Sequence, residues 1–289
     1  MITWPDKLLH DVARRRCVAF LGAGVSRRAV AADGRRPPLW KEFLESALEK
    51  CAGSKAEIRR LIAGGDYLTA CQIIKARLGE HTWHDILEEN FLQPNYAPDD
   101  IHQSIFDLDL PVVATTNIDT VYDRFLNANY GAAAVVKPYH DESIERYVKG
   151  DASTRLVIKV HGSVDNLVRT VFTRQEYADS RHGFSHFYDL LSALISTQTF
   201  MFLGYSLADP DINLLLEANA RRFKSPRSHY LLTADKASQD MVDMFARNYS
   251  IQIIKYSNKD DHRELVESLT DLAAKANSER AKMAAKLVW

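Results

Sequence analysis

The sequence is poor in cysteine: three occur in 289 residues, Cys17, Cys51 and Cys71, and none follows Cys71. An odd, sparse set with no short-range pairs argues against a disulfide framework and fits a reducing compartment. It also excludes a four-cysteine zinc site. No apolar run approaches the length that crosses a bilayer, so no membrane association is expected. The opening residues, Met1-Ile2-Thr3-Trp4-Pro5-Asp6, lack the basic start and apolar core of a signal peptide, and a cytoplasmic protein is expected. Charge of either sign is not in excess. The net charge of −1 gives no general pull toward nucleic acid, and direct nucleic-acid binding is not expected. The short run Arg14, Arg15 and Arg16 reads as a solvated helix end, being too small for a binding patch. Internal repeats and low-complexity segments are missing.

What is present is ordinary globular material, with 46% hydrophobic and 26% charged residues. Leu8, Leu9 and Val12 mark an N-terminal amphipathic helix. Short apolar stretches at 17–21, 111–115, near 133–136, 156–160, 199–203, 229–232 and 251–254 read as buried strands separated by helical patterns. Strands alternating with helices imply an α/β fold, a Rossmann-like parallel sheet with helices on both faces. Residues from about 40 to 108 read as helical throughout, too long for one crossover, and are expected to form a helical insertion or cap. Residues from about 262 to 289 read as a C-terminal helix and tail, with Leu287-Val288-Trp289 available to dock on the body or a partner. One domain covering 1–289 is expected.

Four polar motifs each begin where one of these strands ends, the edge at which open parallel sheets bind ligands. In Gly22-Ala23-Gly24-Val25-Ser26 the glycines allow a tight turn and close approach of a phosphate to a helix start; a plain strand–helix turn is the competing reading. Thr115-Thr116-Asn117-Ile118-Asp119 places an amide donor and acceptor after a strand, though Asn117 or Asp119 could simply cap the next helix. Lys159-Val160-His161-Gly162-Ser163 puts an imidazole at a strand end, where it serves as a general base or as a hydrogen-bonded structural residue. Gly204-Tyr205-Ser206-Leu207-Ala208-Asp209-Pro210-Asp211 offers a second phosphate or ribose contact and also reads as a helix start, with Asp209 as N-cap and Pro210 at the first helical position.

Taken in order, these motifs resemble the sirtuin family across roughly residues 18–256. Gly22 to Ser26 is similar to that family's NAD-binding loop, and Thr116-Asn117-Ile118-Asp119 to its Asn-Ile-Asp motif. His161-Gly162 resembles its catalytic His-Gly pair, and Gly204 to Leu207 its nucleotide loop. The departures point to one branch. The two cysteine pairs of the deacylase zinc module have no counterpart after Cys71, Arg36-Pro37-Pro38-Leu39-Trp40 replaces the usual first-loop continuation, and Thr116 stands where deacylases carry Gln. These features, with Thr173-Arg174-Gln175-Glu176-Tyr177 and Asp211, resemble the zinc-free bacterial sirtuin-like domains of anti-phage defence, which are NAD hydrolases.

The resemblance implies NAD as substrate and no metal. It implies that Asn117 positions the water and ribose hydroxyls and that His161 acts as base. Asp119 would orient the nicotinamide–ribose region or its own loop, and Thr116 would be among the residues that contact NAD. Gly22, Ala23, Gly24 and Ser26 would cradle the pyrophosphate, and Gly204 and Ser206 would hold the adenosine side. The nicotinamide leaves neutral and needs no general acid, through an oxocarbenium-like transition state. An NAD-draining enzyme needs an off-state. A homo-oligomer or a hetero-complex with a regulatory subunit is therefore expected, with an ATPase, an Argonaute-like or a nucleotide-sensing protein as the partner types of resembling systems. A protein deacylase and a non-catalytic NAD or ADP-ribose sensor are the alternatives.

Overall fold

The apolar stretches pair into one seven-stranded parallel sheet. The computed structural model describes residues 1–150, 154–223, 227–234 and 237–286. The strands are β1 (Cys17–Leu21), β2 (Val112–Thr115), β3 (Ala134–Pro138), β4 (Arg155–Lys159), β5 (Thr199–Leu203), β6 (His229–Thr233) and β7 (Ile251–Lys255). They lie in the order β3-β4-β2-β1-β5-β6-β7. The helices are α1 (Asp6–Ala13), α2 (Ala23–Ser26), α3 (Trp40–Glu49), α4 (Ala56–Ala63), α5 (Tyr67–Phe91), α6 (Asp100–Asp107), α7 (Val121–Tyr130), α8 (Ile144–Val148), α9 (Arg174–Gly183), α10 (Ser185–Thr197), α11 (Pro210–Arg222), α12 (Gln239–Tyr249) and α13 (Lys259–Ala285).

The side-chain alternation of β1 shows why both faces are covered. Cys17, Ala19 and Leu21 join a core with residues of α1, α6, α7 and α13. Val18 and Phe20 join the opposite core with α8, α9, α10 and α11. A strand buried on both sides reads as a continuous apolar run, and all five residues of β1 are buried. α11 starts as its sequence indicates: Asp209 Oδ1 accepts from the backbone N–H groups of Asp211 and Ile212, with Pro210 in the first turn.

The helical stretch 40–108 divides between two cores. Phe43, Leu44, Ile58, Cys71, Ile74, Trp83 and Ile86 of α3, α4 and α5 share a separate core. Ile118, Val164 and Phe172 complete it, so α3–α5 sit against the loops that leave β2 and β4. α6 does not belong to that group. Its Ile101, Ile105 and Phe106 pack with α1 and α13 on the sheet. α13 opens with Asp260, Asp261 and His262 at φ +49°, +53° and +62°, a left-handed turn ahead of the regular helix. Asp261 bonds the Arg36 guanidinium there at 2.8 Å. Leu287-Val288-Trp289, read from sequence as a docking end, lies outside the described residues.

Register sets up the ligand edge. Leu21 is paired with both Thr115 and Leu203, and Thr115 with Lys159. Gly22, Thr116, Val160 and Gly204 are therefore each the first residue past one aligned row. β1 turns to β2 on one side, and the chain reaches β5 on the other, so the row straddles the point where the strand order reverses.

Candidate active site

The first and fourth motifs interlock through backbone. Gly22 N–H donates to Leu203 O and Gly24 N–H to Gly204 O, both at 2.9 Å. A Cβ on Gly22 would stand 2.4 Å from Gly204 O, and one on Gly24 2.8 Å from Gly204 Cα. Gly204 has φ +56°, and its Cβ would meet Val25 N at 2.5 Å. These glycines are thus required by the closeness of two loops. Ala23 opens α2, which is a single turn of four residues. Ser206 is exposed on the same edge and Thr116 is half-buried.

Asn117 ties the second motif to the first. Its Nδ2 donates to Gly22 O and to Ser26 Oγ, each at 2.9 Å. Its own N–H donates to Thr115 Oγ1 at 3.0 Å. Both carboxamide protons are committed, and Oδ1 takes no hydrogen bond among the described residues. Asp119 is buried, and its carboxylate accepts from Val121 N–H at the start of α7. Its carbonyl accepts from the Lys159 ammonium.

Lys159 is 1% exposed at the end of β4 and pairs with Asp123 at 3.0 Å. Burial lifts the Asp123 carboxyl above its ordinary value, against the pull of Lys159. This buried pair holds the loop that carries Asn117 onto the strand that carries His161.

His161 stands two residues beyond Lys159, as Asn117 stands two beyond Thr115, on adjoining strands. Its ring is almost fully buried. Nε2 lies 2.5 Å from Asp209 Oδ2 and 3.0 Å from the Tyr177 hydroxyl. Tyr177 donates to the same Asp209 oxygen at 2.7 Å. Nδ1 is buried and has no partner among the described residues. Gly162 follows with φ +79°, and a Cβ there would meet Arg169 O at 2.4 Å, which is why glycine follows the histidine.

Burial works to raise the Asp209 carboxyl, but the facing His161, the N–H of Ile212 and the Tyr177 hydroxyl hold it below its ordinary value. Behind it Asp211 is fully buried against Tyr188 and Arg181. Burial first, and then the charge of Asp209, push the Asp211 carboxyl up. Burial, followed by Asp209, pushes the Tyr177 phenol well up.

The structure thus brings Gly22, Gly24, Ser26, Asn117 and Gly204 into direct or backbone contact and sets His161 on the adjoining strand end. Ser206 and Thr116 make no side-chain hydrogen bond with them. Sequence reasoning assigned no role to Tyr177, Lys159 or Asp123, and read Asp209 only as a helix cap. A lysine closing an apolar strand was the available signal for the buried pair. The two oxygens of Asp209 serve two tasks, and only one of them leaves a local sequence mark.

Among the described residues no group of three or more His, Cys, Asp or Glu could hold a metal ion, and no helix is long and apolar enough to cross a membrane. A SIR2-like domain model matches residues 111–254. The chain is similar to Defense-associated sirtuin 2 of Bacillus subtilis, at 25% identity over 268 residues, covering 89% of this chain and 25% of that protein. It is also similar to the NAD(+) hydrolase ThsA of Enterococcus faecium, at 25% identity over 80% of this chain and 46% of that protein. The NAD(+) hydrolase ThsA of Acinetobacter baumannii matches at 24% identity over 78% of this chain and 44% of that protein. The chain therefore spans a quarter to a little under half of these relatives' lengths. The parallel sheet, the aligned strand-end motifs and these matches together make the chain sirtuin-like, with the SIR2-like match lying over residues 111–254.

Proposed function

We propose that the chain is an NAD⁺ glycohydrolase that breaks the nicotinamide–ribose bond with water, releasing nicotinamide and ADP-ribose. The observation that carries this reading is the pairing of Asn117 and His161 at register-matched strand ends, each with one polar atom, Oδ1 and Nδ1, that takes no hydrogen bond among the described residues. The ThsA relatives are named NAD(+) hydrolases, which supports the same chemistry. Asn117 Oδ1 would accept from the water or a ribose hydroxyl, and His161 would accept the proton released on attack. Nicotinamide leaves as a neutral base, so the site needs only to hold the ribose as it gains oxocarbenium character. The Gly22–Ser26 and Gly204–Ser206 loops would take the pyrophosphate and adenosine. The glycine N–H groups at 22 and 24 are already bonded, so the contribution of those residues is close backbone approach.

The relative named Defense-associated sirtuin 2 supports a place in bacterial anti-phage defence, with NAD depletion as the effector step. The same reading supplies an off-state. His161 is only 3% exposed, so a ribose reaches it after a rearrangement of the surrounding loops. We propose that assembly or a regulatory partner drives that opening, with α3–α5 beside the site as the responsive element.

The test is nicotinamide release by Asn117→Ala and His161→Ala proteins of native circular dichroism. Each is expected to lose about 10²–10⁴-fold in rate, the usual contribution of a positioned acid–base group. Retention of more than about a tenth of the native rate by either variant would remove that residue from the chemistry.

A further inference from the structure

We infer that Asp209 is a positioning residue that fixes His161 as its Nε2–H tautomer, leaving Nδ1 as the atom that accepts the proton. The source of that proton rests on the hydrolase reading above; the tautomer does not.

The geometry leaves one consistent assignment of protons. Asp209 Oδ1 accepts two backbone N–H groups, from Asp211 and Ile212, each at 3.0 Å. Oδ2 receives the Tyr177 hydroxyl at 2.7 Å and faces His161 Nε2 at 2.5 Å. An ionised carboxylate only accepts. The start of α11, where the helix dipole favours negative charge, keeps it ionised. The one proton of Tyr177 is spent on Asp209, so Nε2 has no donor facing it and must itself donate. In the neutral ring the lone pair is then on Nδ1, which is buried and without a partner among the described residues. Buried polar atoms are nearly always bonded. An unused acceptor at the ligand edge of the sheet is what a base awaiting its substrate presents.

The chemistry balances. An O–H bond of the attacking water, or of a ribose hydroxyl it relays through, breaks as Nδ1–H forms. The water oxygen bonds to the ribose carbon, and the C–N pair departs with neutral nicotinamide. The ring becomes imidazolium against the Asp209 carboxylate and then returns its proton to solvent. One NAD⁺ and one water give nicotinamide, ADP-ribose and one proton.

Asp209→Asn inverts this arrangement. The amide oxygen must remain on the two backbone N–H groups, because an NH₂ there would face two donors. The NH₂ is therefore turned toward Nε2, which must become the acceptor, and the proton moves to Nδ1. Tyr177→Phe leaves the His161–Asp209 pair in place and should keep the native tautomer.

The experiment is nitrogen NMR of the full chain labelled with ¹⁵N-histidine at pH 8, with His161 assigned by its loss in His161→Gln. Native protein and Tyr177→Phe are expected to show His161 protonated at Nε2 alone. Asp209→Asn is expected to show protonation at Nδ1, with kcat down about 10²–10⁴-fold and NAD⁺ affinity within about threefold of native. A native ring protonated at Nδ1, or at both nitrogens, overturns the inference even if Asp209→Asn does not fold. So does a folded Asp209→Asn protein with the native spectrum. These spectra need no turnover, so failure of NAD⁺ cleavage and failure of the tautomer assignment are separate results.

Discussion

Replacing Gly204 by alanine tests the tightness of the interlocked loops at the sheet switch point. The added Cβ would meet Val25 N at 2.5 Å, Gly24 C at 2.7 Å and Gly24 Cα at 2.9 Å. All three are backbone atoms, so no side chain can swing aside. The residue also has φ +56°, which costs an alanine about 1–2 kcal/mol. Forcing a methyl into a filled space costs about 1–3 kcal/mol more. The sum is a loss of about 2–5 kcal/mol, a large part of the ~5–15 kcal/mol that holds a typical domain. Urea unfolding followed by far-ultraviolet circular dichroism measures it. Gly183→Ala is the control: that glycine is exposed at the end of α9 with nothing within 4 Å of its added Cβ, and its substitution should be neutral or slightly stabilising. A Gly204→Ala loss under about 1 kcal/mol, or equal effects at both sites, would refute the interlock.

Two further perturbations probe buried charge. Lys159→Met leaves the Asp123 carboxyl buried without its cation and should destabilise by about 3–5 kcal/mol, most of it recovered by adding Asp123→Leu; an additive double variant in the same urea assay would contradict the pairing. His229, at the start of β6, accepts from Phe200 N–H and is pushed down to about 4 by burial and then by Arg227 and Lys7. Its unfolded value is near 6.5, so the unfolded chain binds the proton first as pH falls. The stability it contributes is complete above about pH 6.5 and declines down to about pH 4, by about 3 kcal/mol for a shift of this size. His229→Gln should flatten that part of the stability–pH curve, and an unchanged slope would show that another group titrates there.

The sheet was legible because its strands are buried on both faces. Continuous apolar runs such as Cys17–Leu21 and Thr199–Leu203 have no amphipathic alternative, and their ends coincide with the observed strand ends. Parallel pairing then carries the strand-end motifs to one edge, so Asn117 and His161 could be placed on the same edge from sequence, while their position on adjoining strands comes from the β2–β4 pairing. The helical stretch was harder. α6 has the same apolar period as α3–α5, and only three-dimensional packing reveals that Ile101 and Ile105 face α1 and α13. The network around His161 was harder still, because it joins residues 161, 177 and 209 from a strand end, α9 and the loop before α11. Asp209 carries a complete local explanation as an N-cap, and its second oxygen leaves no trace in the sequence. The buried pair of Lys159 and Asp123 spans 36 positions, beyond any local periodicity.

The most direct measurement is chromatographic: NAD⁺ is incubated with the purified chain and with Asn117→Ala, without any acyl-lysine peptide, and nicotinamide and ADP-ribose are quantified. Hydrolysis at the strand-end site predicts equimolar release of both products by the native chain in its assembled, opened state and loss of that release in the variant under the same conditions. Equal release by the two proteins, or release only once an acyl peptide is supplied, would contradict it.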